Sequence, residues 1–171
     1  KLFWDDRAGG FFAAPGGDEA LIVRLREEFE GPAPLANAVM ALSLLRLHEF
    51  TGDSSLRELA RRTMESFRGG LGRYPSGHAS LLCALDFLKG PAVAVVVAGP
   101  DPEPLLRAAR RIFFPNKVVA RAQAGADIPI LRGRGPVKGQ ATAYVCRGGV
   151  CLPPVSSPAE LEELLSREAV K

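Results

Sequence analysis

A chain of 171 residues, 47% hydrophobic and 24% charged, can bury one ordinary core or two small ones. Its formal net charge of +3 is carried mostly by arginines scattered among acids, which makes no case for a nucleic-acid partner. The longest apolar run, AVAVVVAG, falls far short of the ~20 residues of a membrane span, and KLFWDD is no secretory signal, so a soluble cytoplasmic protein is expected.

Phe11 to Ala14, the turn Pro15-Gly16-Gly17-Asp18 and the arm Ala20 to Val23 read as a short hairpin. Continued as LIVRLREE, that second arm reads equally as a helix. Pro32 and Pro34 break the backbone, and three helices follow. Ala36 to Phe50 carries Val39, Leu42 and Leu45 at helical spacing and stops at Thr51-Gly52. The next helix opens on Ser55 and Glu58 as a capping box and runs to Phe67, before Gly69-Gly70. The third runs from about Ser76 to Lys89, with Cys83 on its apolar face, and ends at Gly90-Pro91. Short loops between such helices imply antiparallel neighbours.

After Pro91 the pattern becomes α/β, which divides the chain into residues 1–90 and 91–171. Ala92 to Ala98 is a β-branched run of the kind found in strands buried on both faces. Pro102 to Phe113 is helical, with Leu105, Leu106, Ala109 and Ile112 inward, and Lys117 to Arg121 completes a βαβ unit. An irregular stretch, Gly125 to Gly139, leads into the segment ATAYVCRGGVCLPP, and Ser157-Pro158 opens a last helix to about Ala169. The resulting order, βαβ–ββα, is also that of a minimal thioredoxin core, though no C-x-x-C stands at the first helix.

The cysteine hairpin carries the densest chemistry. A two-residue turn through Gly148 and Gly149 sets Arg147 opposite Val150 and Cys146 opposite Cys151. Opposed Cβ atoms lie roughly 4.5–5.5 Å apart, and a disulfide tolerates a Cα separation of about 4.4–6.8 Å. The pair is therefore open to closing on itself, to binding metal or soft electrophiles, or to packing reduced as small hydrophobes. His48 and His78 lie too far upstream for a metal spacing, and no metal site is expected.

A second cluster is Phe3-Trp4-Asp5-Asp6 with Gly9-Gly10-Phe11-Phe12. Aromatic faces stack on sugar rings and carboxylates accept hydroxyl hydrogen bonds or transfer protons, so this segment reads as the floor of a sugar-like site. Core packing of Trp4 and Phe12 is the competing reading. A third cluster, Arg24, Arg26, Glu27, Glu28 and Glu30, precedes Gly31-Pro32-Ala33-Pro34 and reads either as a cleft lining or as a solvated edge. Asn37 stands where a helix cap is expected. Gly99-Pro100-Asp101-Pro102 carries an acid and two prolines where a phosphate cradle needs free N–H groups. The basic stretch Arg132 to Gly139 reads as a flexible loop.

Taken together, FWDDRAGGFF, VRLREEFEGPAPLANAV, LLRLHEFTGD, PNKVV and ATAYVCRGGVCLPPVSSPAEL resemble the C-terminal part of the spermatogenesis-associated, thioredoxin-domain-containing protein family. In that family a thioredoxin-like domain precedes an α/α toroid similar to six-hairpin glycosidases and N-acylglucosamine 2-epimerases, and a small α/β region ends the chain. The resemblance implies an α+β fold, with the closing hairpins of a toroid followed by a βαβ–ββα region, in a C-terminal fragment of a longer protein. Its aromatic-Asp and Gly-Gly-aromatic motif falls on Trp4, Asp5, Gly9, Gly10, Phe11 and Phe12. Its Arg-x-Lys-Glu, Asp-Gly-Ala and Pro-Ser-Gly/Ala-Asn motifs fall on Arg24 to Asn37, with Arg26 for Lys, Glu30 for Asp, Pro32 for Ala and Leu35 for Ser.

The resemblance implies a carbohydrate-related enzyme, an epimerase or hydrolase. Asp5, Glu27 and Glu30 would be its acids and bases, Trp4 and Phe12 its stacking surfaces, and Arg24, Arg26 and Asn37 its polar contacts. No cofactor is implied. The implied partners are a sugar-like ligand and the N-terminal part of the protein, or a separate chain, that completes the toroid. The alternative is a non-catalytic binding or redox-regulatory module with a labile Cys146/Cys151 pair.

Overall fold

Helices built on small-residue stripes come first, and a mixed sheet follows. The computed structural model describes residues 2–17, 21–90, 92–123 and 125–169. It is an α+β fold that divides into two units, residues 1–48 with 53–89, and residues 49–52 with 90–171.

In the first unit, α1 spans Ala36–Thr51 and α2 spans Ser54–Ser66. The short α3, Arg68–Arg73, and a 3-10 turn, Pro75–His78, lead into α4, Ala79–Lys89. The buried stripe of α1 is Ala38, Ala41, Leu44 and Leu45, so the expected stripe is rotated and Val39 is exposed. Small alanines on this stripe permit close helix approach. Ala60, Thr63 and Met64 of α2, with Phe67 beyond it, complete the core with Leu81, Ala84 and Phe87 of α4. Cys83 stands two residues past Leu81, about 200° around the helix, and is exposed rather than core.

The second amide of α2 is satisfied by Asp53, whose side chain accepts from the Ser55 N–H at 2.9 Å; Asp53, not Ser55, is the cap. Gly69 and Gly70 do not end the helical run but sit inside α3. The leading segment also departs from expectation. Its hairpin pairs Trp4 with Phe11, and the Phe12 N–H donates to the Phe3 carbonyl at 2.8 Å. The turn of this hairpin lies between Asp5 and Gly10. At the expected turn Gly16 and Gly17 are turn residues and the Ala13 N–H donates to the Leu25 carbonyl at 2.8 Å, while Asp18, like Ala20 of the expected second arm, is outside the described residues. Residues 21–30 form neither helix nor strand, and Ile22, Val23 and Leu25 are exposed.

In the second unit, β1 (Val93–Ala98) is buried at every position, as a central strand must be. It runs parallel to β2 (Lys117–Arg121) and antiparallel to β3 (Thr142–Arg147), which pairs with β4 (Val150–Cys151). The sheet order is β2-β1-β3-β4. The helices α5 (Glu103–Arg111) and α6 (Pro158–Ala169) cover one face. There Leu105, Leu106, Leu161 and Leu165 meet Val93, Val95, Val97 and Val145. Lys117 reaches back to the carbonyls of Ala109 and Ile112, a cation at a helix C-terminus.

Candidate functional site

The leading hairpin, the extended segment and α1 enclose a cleft of about 500 Å³. Phe3, Trp4, Phe11 and Phe12 line it, with Glu27, Asn37 and Met40. The turn that aims these rings is set by Asp5. Its carboxylate accepts from the Arg7 and Ala8 amides at 2.9 and 3.1 Å, and its carbonyl accepts from Gly9. Gly9 and Gly10 then take positive φ values of 78° and 85°. A Cβ on Gly9 would stand 2.8 Å from the Arg62 carbonyl oxygen, so the turn needs glycine both for conformation and for space.

Trp4 meets Phe11 edge-on at 5.1 Å between ring centres, and the Arg62 guanidinium lies 5.0 Å from the Trp4 ring. Arg24 stacks on Phe12 at 3.9 Å and donates to the carbonyls of Ala14 and Leu2. Arg26 donates to the Gly9 carbonyl at 2.7 Å. Asn37 is buried within α1 rather than capping it. Its Nδ2 donates to the Phe11 carbonyl and its Oδ1 accepts from the Phe11 amide. These three polar residues hold the cleft's walls in place.

The three candidate carboxylates are not brought together. Glu27 lines the cleft, whereas Asp5 and Glu30 are absent from its lining. Glu30 accepts from the Leu35 amide, just ahead of α1, and from the Ser80 amide in the first turn of α4. One carboxylate thus ties together the starts of two helices, where positive dipole ends favour it. Hydrogen bonding from Ser80, then from the Leu35 and Ala79 amides, holds the Glu30 carboxyl below its ordinary value. The Ala8 and Arg7 amides, with the Arg26 charge, do the same for Asp5. Such carboxylates hold their charge and do not keep a proton for donation.

Because the folded-state value of Glu30 is lowered, its contribution to stability is complete above the ordinary glutamate range. It is lost as pH falls through the lowered value. Glu30→Gln is expected to cost about 1–2 kcal/mol at neutral pH and to lose less than the wild type on acidification to about pH 3. Urea unfolding of both proteins at the two pH values measures this; parallel pH profiles would rule the linkage out.

At the other candidate, Cys146 and Cys151 are disulfide-bonded across the register expected of them, with Cα atoms 3.9 Å apart. The next pair along, Leu152 to Val145, is hydrogen-bonded, which makes the cysteines a non-hydrogen-bonded pair, where opposed strands approach most closely. Such pairs lie about 4.5 Å apart, at the short end of the disulfide range, and this one is closer still at 3.9 Å. The sequence reading missed Arg134 here, and it missed Met40 in the cleft. Nothing in the spacing pointed to either. Among the described residues no group of three or more His, Cys, Asp or Glu is placed to hold a metal ion. None of the described helices is long and apolar enough to cross a membrane.

An aromatic-walled cleft with one carboxylate in the helical unit, and a hairpin disulfide in the α/β unit, define this α+β chain. It is homologous over 96% of its length to spermatogenesis-associated protein 20, at 32% identity over 176 residues to the human protein and 32% over 178 residues to the mouse protein. An uncharacterized Caenorhabditis elegans protein is 30% identical over 175 residues. The matched stretch is a C-terminal part of the larger mammalian protein, and the chain spans 22% of the human relative's length. No known family profile matches the chain.

Proposed function

We propose that the helical unit binds the ring of a carbohydrate in the cleft of Phe3, Trp4, Phe11 and Phe12. The observation carrying this reading is the placement of Glu27 among four aromatic side chains in a cleft of about 500 Å³, a size suited to a small ring. Trp4 and Phe12 are the stacking surfaces, and Glu27 accepts from the ring hydroxyls. Arg24, Arg26, Asn37 and Asp5 keep the walls in position. Epimerase- or hydrolase-type chemistry needs a second acid or base opposite the first. With Asp5 and Glu30 committed to backbone amides, that group is supplied by another part of the longer protein. Exposed Val39, Leu47 and Leu82 are then covered by its further helices.

Trp4 is the single tryptophan, so its emission reports on the cleft directly. Titration with mono- and disaccharides is expected to give a saturable change. In Glu27→Gln, with its charged acceptor gone, binding should be about tenfold weaker or worse. Emission that no sugar alters, or equal affinities for the two proteins, would remove the reading.

A further inference from the structure

The loop ahead of β3 carries Arg134 to the hairpin disulfide. Its Nη2 lies 3.0 Å from the Cys151 sulfur and 3.3 Å from the Cys146 sulfur, while Nη1 is anchored on the Ile130 carbonyl. Among the described residues no carboxylate pairs with this guanidinium. A neutral disulfide is a weak acceptor and gains little from a full positive charge. A thiolate gains much more, because an adjacent cation stabilises it and lowers its pKa. The two sulfurs also differ in access. Cys146 is 5% exposed, whereas Cys151 lies on the exposed short strand β4 beyond the open Gly148-Gly149 turn.

We infer that Cys146, Cys151 and Arg134 form a thiol–disulfide exchange centre that takes electrons from a dithiol through attack on Cys151. One thiolate of the dithiol attacks the Cys151 sulfur. The S–S bond breaks, and its electron pair leaves on Cys146 as a thiolate against Arg134. The dithiol's second thiolate then attacks its own sulfur in the mixed disulfide, releasing Cys151 as a thiolate beside the same guanidinium. Two electrons pass from the dithiol, which becomes a disulfide, and its two protons go to solvent or to the new thiols. Exchange is faster when the leaving thiol has a lower pKa, so Arg134 acts on the rate directly. This centre lies in the α/β unit and stands independently of the sugar-binding reading.

The test uses the whole chain, treated with dithiothreitol, quenched with maleimide and followed by intact mass. The wild type should pass from one labelled cysteine, Cys83, to all three. Arg134→Gln should be reduced about tenfold more slowly, with Arg134→Lys in between, once circular dichroism shows both variants folded. Two measurements need no variant. Glutathione should form its mixed disulfide on Cys151, and in the reduced protein Cys151 should be alkylated faster than exposed Cys83. Equal reduction rates with and without Arg134, an adduct on Cys146, or a Cys151 no more reactive than Cys83 would each overturn the proposal.

Discussion

Asn37→Ala is expected to lower the unfolding free energy by about 3 kcal/mol, a large loss for a polar substitution. The side chain is 3% exposed and uses both ends of its amide on one residue, at 2.6 Å to the Phe11 N–H and 2.9 Å to the Phe11 carbonyl. Alanine removes two hydrogen bonds and leaves both backbone groups facing a buried gap, where an unmet polar group costs about 1–3 kcal/mol. Asn37→Asp separates geometry from chemistry. A carboxylate can still accept from the Phe11 N–H but has nothing to offer the Phe11 carbonyl, so most of the loss should remain. Urea unfolding followed by Trp4 emission is the natural measurement, since Trp4 rests against Phe11. A cost under about 1 kcal/mol would mean that water replaces the amide freely.

Leu165→Ala should be as damaging in the other unit, at about 3–4 kcal/mol. Leu165 is 0% exposed and belongs to the cluster that joins α5 and α6 to the valines of β1. Removing three carbons there leaves a cavity between a helix and a sheet whose positions are fixed by hydrogen bonds, so little collapse can refill it. Val150→Ala, on the exposed end of the hairpin, removes a smaller apolar group at a position already 71% open to water. Its effect should stay within about 0.5 kcal/mol. Chemical unfolding monitored by far-ultraviolet circular dichroism compares the two, and similar shifts would contradict the assigned core.

The α/β half was largely legible in the residues. A β-branched run of strand length with no polar member reads as a covered strand, and the Gly-Gly turn sets the register of the cysteines. The helical half was harder. Alanine-rich α1 buries Ala38 and Ala41, and small residues carry too little contrast for periodicity to locate a face. The Trp4–Phe11 hairpin eluded the reading because Asp5 to Gly9 carries a weaker local turn signal than Pro15-Gly16-Gly17. The turn there is held by contacts from far along the chain, from Asn37, Arg26 and Arg62. The cleft's aromatics and Glu27 could be named, but not that Asp5 and Glu30 were already engaged by amides. Arg134 read as one more charge in a basic loop, since no local spacing ties it to sulfurs 12 and 17 residues away.

The Cys146–Cys151 bond joins residues only five apart in sequence. A cross-link confers stability chiefly by shrinking the unfolded ensemble, and a ring this small removes few conformations, worth about 2 kcal/mol against nearly 5 for a hundred-residue loop. The Gly148-Gly149 turn and the backbone pairing of β3 with β4 already hold the two strands together. Opening the bond therefore releases one short ribbon and leaves the valine core of the sheet intact. The disulfide is a poor clamp for the fold, and for the same reason it is a bond the protein can break and remake while remaining folded.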